Sequence, residues 1–141
     1  MDPVYYLLPN LFQIAQTAHL YCILLVTIYM FRHVDRDACL GFLSTMALVS
    51  AWIAVPLLFF TLDYYFLGTV FDDPEGHRQR YLEFGTLSLA LRLIEEAFSC
   101  VVPLLWFVEH FRRRYLVLMV MTASALLADM VQGVYMMVVA G

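Results

Sequence analysis

Four apolar stretches, each long enough to cross a bilayer, follow one another along this chain with only short charged loops between them. A hydrocarbon core about 30 Å thick is spanned by about 20 apolar residues in a helix. The first stretch runs from Leu11 to Phe31. The second runs from Cys39 to Leu62 and carries an aromatic tail, DYYFLGTVF. The third runs from Gly85 to Val108, and the fourth from Tyr115 to about Ala140. Lipid offers no water to backbone N–H and C=O groups, so such stretches fold as helices. The expectation is an all-α integral membrane fold, one domain over residues 1–141. It has four transmembrane helices (about 11–31, 39–66, 83–108 and 115–140), short loops and both termini on the same side.

Composition agrees with lipid as the solvent. Hydrophobic residues make up 63% of the chain, charged residues only 14%, and the mean hydropathy is +0.79. A soluble domain carries about 25% charged residues. The net charge of −4, with no extended basic face, argues against nucleic acid as a partner. Cys22, Cys39 and Cys100 form no CxxC pair, and two of them lie inside apolar spans, so no zinc site or disulfide framework is expected. The start, MDPVYYLLPN, lacks the basic n-region of a secretory signal and the arginines of a transit peptide. No nucleophile elbow, HExxH, P-loop or GxGxxG occurs, so neither an enzyme active site nor a cofactor other than bound phospholipid is expected.

All eight basic residues are Arg. Arg32 and Arg36 in the first loop, and Arg112, Arg113 and Arg114 in the third, outnumber Arg78 and Arg80 in the second. The positive-inside rule then places loops 32–38 and 109–114 inside and the termini outside. In a mitochondrion these are the matrix and intermembrane-space sides. Tyr5, Tyr6, Tyr64, Tyr65 and Tyr81 would form the outer aromatic belt, and Tyr29, Trp106, Phe111 and Tyr115 the inner one.

Charge at bilayer depth is expensive and is turned towards protein or trapped water, which marks the third span as a candidate site. Gly85, Ser88, Arg92, Glu95 and Ser99 recur at spacings of three and four and share one helical stripe. Glu96 lies one turn beyond Arg92, at ion-pair distance on a helix. An Arg92–Glu96 pair would leave Glu95 as an unpaired carboxyl. In the fourth span Ala125, Asp129 and Gly133 share a face, and Asp129 could pair with Arg92 or hold a proton. His19, with Gln13 and Gln16, makes a polar flank on the first span, but no second histidine lies at its depth to complete a haem site. Ser44, Ala47, Ala51 and Ala54 give the second span a small-residue face for close helix packing. His110, Arg112, Arg113 and Arg114 form a basic clamp suited to anionic headgroups such as cardiolipin.

From Phe71 onward the chain resembles subunit 3 of the proton-pumping NADH:ubiquinone oxidoreductase. The residues that carry the resemblance are the loop FDDP (Phe71 to Pro74), the intramembrane acids Glu95 and Glu96, the exit PLLW (Pro103 to Trp106), and the late acid Asp129. The family's loop cysteine and glycine are missing, Thr69 and Val70 standing in their region. Arg92 is foreign to the pattern, and one span too many lies upstream. The family also keeps this loop on the inner side, whereas the arginine count puts it outside. The resemblance implies a proton-relay subunit with Glu95, Glu96 and Asp129 as relays.

Little mass lies outside the spans, and the polar stripes ask for partners. The leading expectation is a non-catalytic accessory subunit of an energy-transducing complex (respiratory chain or ATP synthase) in the mitochondrial inner membrane. Its partners would be other membrane subunits and phospholipids. The alternatives are the proton-relay subunit and a small tetraspan lipid- or sterol-binding protein with a closed pocket round Arg92 and His19.

Overall fold

Long helices with inverted polarity dominate the fold. The computed structural model describes residues 3–33 and 36–140, and within these the side chains of 3–6, 31–33, 36, 38 and 140 fall outside the description. The belt and loop side chains of Tyr5, Tyr6, Arg32, His33 and Arg36 therefore lie outside the described residues. Among the described residues six α-helices follow in order: α1 Pro3–His33, α2 Arg36–Leu62, α3 Pro74–Leu82, α4 Thr86–Cys100, α5 Glu109–Arg112 and α6 Tyr115–Ala140. A π-helical turn, Asp63–Leu67, extends α2, and a 3-10 helix, Val102–Phe107, follows α4. No strand occurs among the described residues.

Three helical segments are long and apolar enough to cross a membrane: Leu7–Met30, Cys39–Leu67 and Tyr115–Val139. Their surfaces show which solvent they suit. Gln16, Thr27, Ser50 and Thr122 are buried, while Ile14, Leu25, Trp52, Leu116 and Met137 stand outside. Water would penalise that arrangement on both counts. Lipid favours it, because polar groups then find partners inside while apolar side chains meet acyl chains. The chain is an integral membrane protein.

The core forms where α1, α2 and α6 meet the 3-10 helix. Leu20, Ile23, Leu43, Leu118 and Trp106 are packed together with Ala47 and Ala51. Ser44, Ala47, Ala51 and Ala54 are all buried, so the small-residue face of α2 is a packing seam as expected. Its missing side-chain volume leaves room for the fully buried indole of Trp106.

Two stretches differ from the sequence expectation. First, α1 begins at Pro3 and runs through Pro9, ahead of the span expected from Leu11. Second, the stretch Gly85–Val108 is not one helix. It is α4 up to Cys100, then the 3-10 helix with Pro103 at its second position. The proline explains the break: Ser99 would receive the N–H of the residue four positions on, and Pro103 has none. Gln16 of α1 fills the vacancy, its Nε2 donating to Ser99 O at 2.8 Å and to Ser50 O at 3.1 Å. One amide thus ties three helices at the point where the third stretch changes pitch.

Candidate functional site

The inward face of α4 is its polar face. Ser88, Glu95, Glu96 and Ser99 are buried, whereas Leu87, Ile94 and Val101 are exposed. Ser88, Arg92, Glu95 and Ser99 thus share the stripe expected from the spacing, whereas Gly85 is exposed and precedes the helix; Arg92 organises the stripe. Its Nη1 lies 2.7 Å from Glu95 Oε2, its Nη2 lies 2.5 Å from Glu96 Oε1, and its Nε donates to Tyr65 Oη at 3.2 Å. Thr61 Oγ1 donates to the second Glu96 oxygen at 3.1 Å. The expected Arg92–Glu96 pair forms, but Glu95 is not left unpaired. A planar guanidinium offers donors along two edges, and both acids lie within one turn of it.

Asp129 takes a different partner from the one expected. It approaches Glu95 side chain to side chain, although the residue itself is exposed on α6. Among the described residues, the ion pairs of Arg92 are with Glu95 and Glu96 alone.

A cavity of about 270 Å³ opens beside this cluster. Arg92 and Glu96 line it from α4, and Pro9, Asn10 and Gln13 from α1. Leu57, Phe60, Thr61 and Tyr64 contribute from one face of α2 and its π-helical extension, at the i, i+3, i+4, i+7 spacing of a helix stripe. Tyr65, Phe71 and Tyr81 complete the wall.

The segment over this end of the bundle is tightly built. The buried Asp63 carboxylate accepts from the backbone N–H groups of Thr69 (2.8 Å), Val70 (3.0 Å) and Phe71 (2.8 Å), and from the Thr69 hydroxyl. Gly68, at φ +69°, turns the chain back and donates its N–H to Asp63 O at 2.9 Å. Phe71 is delivered into the cavity wall as a result. The second loop, which carries Arg78 and Arg80, is then mostly helix: Asp73 caps α3, its carboxylate accepting from Gly76 N at 3.1 Å, and Pro74 opens the first turn. From α3, His77 stacks on Tyr64 at 3.8 Å, and Arg78 Nη1 donates to Tyr65 O at 3.0 Å.

The other sequence candidates scatter. His19 is half-buried, its Nδ1 3.3 Å from Ala15 O, and does not line the cavity. The basic clamp divides: Arg112 Nε donates to Ser44 Oγ at 3.1 Å and its Nη1 to Phe107 O at 3.1 Å, whereas Arg113 pairs with Glu109 at 2.8 Å. His110 and Arg114 are exposed. Cys22 lies on the outer face of α1, while Cys100 is buried. Among the described residues no group of three or more His, Cys, Asp or Glu is placed to hold a metal ion.

Sequence reasoning missed Asp63, Thr61 and the cavity-facing roles of Tyr65 and Tyr81. The two tyrosines read as belt residues, and Asp63 as part of an interfacial tail. A signal existed in Asp63-to-Gly68, an acid followed five residues later by a glycine at the end of an apolar run, which suits a capped helix end. Comparison with protein-family models, characterised proteins and solved structures gives no match.

Proposed function

We propose that this is a non-catalytic integral membrane protein that binds an amphipathic small molecule in the cavity beside Arg92 and Glu96. The carrying observation is that Arg92, Glu95 and Glu96 find partners within the chain and that Arg92 and Glu96 border an aromatic-walled cavity. A docking stripe would instead offer those groups to other subunits. Small-molecule sites are concave, largely apolar and furnished with a few converging polar groups, as this cavity is.

In this reading the chain crosses the bilayer four times. The 15 residues of α4 and the 6 of the 3-10 helix together reach about 34 Å, against a core of about 30 Å. Arg112, Arg113 and Arg114 put the α5 end inside, leaving the cavity end outside. The test is native mass spectrometry of the protein released gently from membranes. A non-covalent adduct on the wild type that is lost on filling the cavity with Leu57→Trp upholds the reading. Equal adduct on both proteins sinks it.

One observation favours a second reading, an accessory subunit of an energy-transducing membrane complex. Asp129 stands exposed on α6 beside Leu127, Met130 and Val131, which are exposed too. A carboxyl presented among lipid-facing side chains suits a seam with another membrane chain. A native gel in mild detergent that shows only free monomer defeats this second reading.

A further inference from the structure

The cavity's own chemistry selects the charge of its occupant, and we propose that it takes an organic ammonium group. The inference rests on the ligand-binding reading above. Arg92 is the obvious anion receptor, yet all three of its guanidinium nitrogens already face acceptors: Tyr65 Oη, Glu95 and Glu96. An anion entering the cavity would share Arg92 with these acceptors and meet the Glu96 carboxylate in the same lining. Of this cluster Arg92 and Glu96 line the cavity, while Glu95 and Asp129 meet outside its lining.

The walls supply the rest of such a site. Phe60, Tyr64, Tyr65, Phe71 and Tyr81 all border the cavity. They meet edge to face rather than stacking: Tyr64 with Tyr65 at 4.9 Å and 84°, Tyr64 with Phe71 at 5.8 Å and 71°, Phe60 with Phe71 at 6.1 Å and 69°. Rings set nearly at right angles make the corners of a box. The negative faces of such rings attract an alkylated ammonium that cannot hydrogen bond. The box is also held in place, by His77 behind Tyr64 and by the Asp63 clamp behind Phe71. Preorganised walls bind without an ordering cost.

The experiment is calorimetric titration of the purified full-length protein in nonionic detergent with three benzyl compounds of equal heavy-atom count. They are benzyltrimethylammonium (cation), benzyl methyl sulfone (neutral) and phenylmethanesulfonate (anion). The expected result is that the cation binds at least about tenfold tighter than the other two. Glu96→Gln should reduce that preference severalfold. Tyr81→Leu, which leaves the ion pairs intact, should weaken the cation and spare the sulfone. Equal binding of cation and sulfone overturns the ammonium proposal but leaves the cavity as a ligand site. Tightest binding of the sulfonate overturns it in favour of Arg92 as receptor. Binding of none of the three overturns both readings. Competition by phosphocholine assigns the ammonium to a lipid headgroup, and its failure to compete assigns it to a free lipophilic cation; either upholds the proposal.

Discussion

Arg92 and Glu96 meet at 2.5 Å across one turn of α4, a helix whose buried face is polar. Burying such a pair gives little net stability, because desolvation offsets the Coulomb gain, but removing one partner strands the other. Arg92→Met strands two carboxylates and is expected to cost about 3–5 kcal/mol. Adding Glu95→Gln and Glu96→Gln to it should recover most of that loss. Arg92→Lys should fall between, since an ammonium cannot serve Tyr65, Glu95 and Glu96 along two flat edges. Thermal unfolding in mild detergent ranks the three variants. If the single and triple variants unfold together, the cluster is not the electrostatic unit described.

Asp63 does for the loop what a helix cap does for a helix. Three backbone N–H groups and a hydroxyl converge on one buried carboxylate. Asp63→Ala leaves those donors without their acceptor, at about 1–3 kcal/mol for a buried group and more for a charged one. The expected loss is about 3–4 kcal/mol. Hydrogen exchange should show the amides of Thr69, Val70 and Phe71 losing protection before the rest of the chain. Unchanged protection there would mean the clamp is ornamental.

The parts of this fold legible in sequence were those set by periodicity. The seam Ser44, Ala47, Ala51 and Ala54, and the stripe Ser88, Arg92, Glu95 and Ser99, could be read because a helix returns to the same face every three or four residues. The break at Val101 was harder to read. Pro103 signals a lost bond, but only the fold shows that Gln16, 83 positions before Ser99, is at hand to replace it. The cavity was illegible for the same reason. Its wall joins Gln13, Tyr64, Tyr81 and Arg92 from four separate segments, and no local pattern records that they meet. Long side chains were misjudged most. Arg112, Arg113 and Arg114 read as one patch, yet three consecutive helix-end residues point in three directions.

Gly68 is the second point at which the cap over the cavity is fixed. Its φ of +69° lies in the left-handed region, and a Cβ there would stand 2.9 Å from Pro74 Cδ. Left-handed backbone costs a non-glycine residue roughly 1–2 kcal/mol, and the contact with a rigid ring adds to it. Gly68→Ala should therefore lower stability by about 2 kcal/mol. Combining it with Pro74→Ala should return the steric part and keep the backbone part. A double variant no better than Gly68→Ala alone would show that the clash contributes nothing.

Gln16 and Pro103 should be thermodynamically coupled, because the amide serves a carbonyl that the proline orphans. Interhelical hydrogen bonds in membranes contribute about 0.6–2 kcal/mol. Gln16→Leu in the wild-type background should cost about 1–2 kcal/mol. Pro103→Ala restores a backbone N–H that Ser99 O can accept, so in that background the same Gln16→Leu should cost less. A coupling on the order of 1 kcal/mol in the double-mutant cycle is the expected reading. Full additivity would separate the two residues and leave the helix break without this explanation.

Arg112 and Arg114, two residues apart, should behave as different kinds of residue. Arg112 turns inward, where it joins α5 to Ser44 of α2 and caps the Trp106 and Phe107 carbonyls at the end of the 3-10 helix. Arg112→Ala should cost about 1–3 kcal/mol, since it unties bonds to a charged donor. Arg114 is exposed, so Arg114→Ala should leave the melting temperature where it is. It should instead reduce cardiolipin retained in native mass spectra, because an exposed arginine can meet a phosphate. Arg113 sits between these cases, tied to Glu109 in an exposed pair that adds little stability and lowers its availability to lipid. Loss of cardiolipin from Arg112→Ala and not from Arg114→Ala would reverse this division of labour.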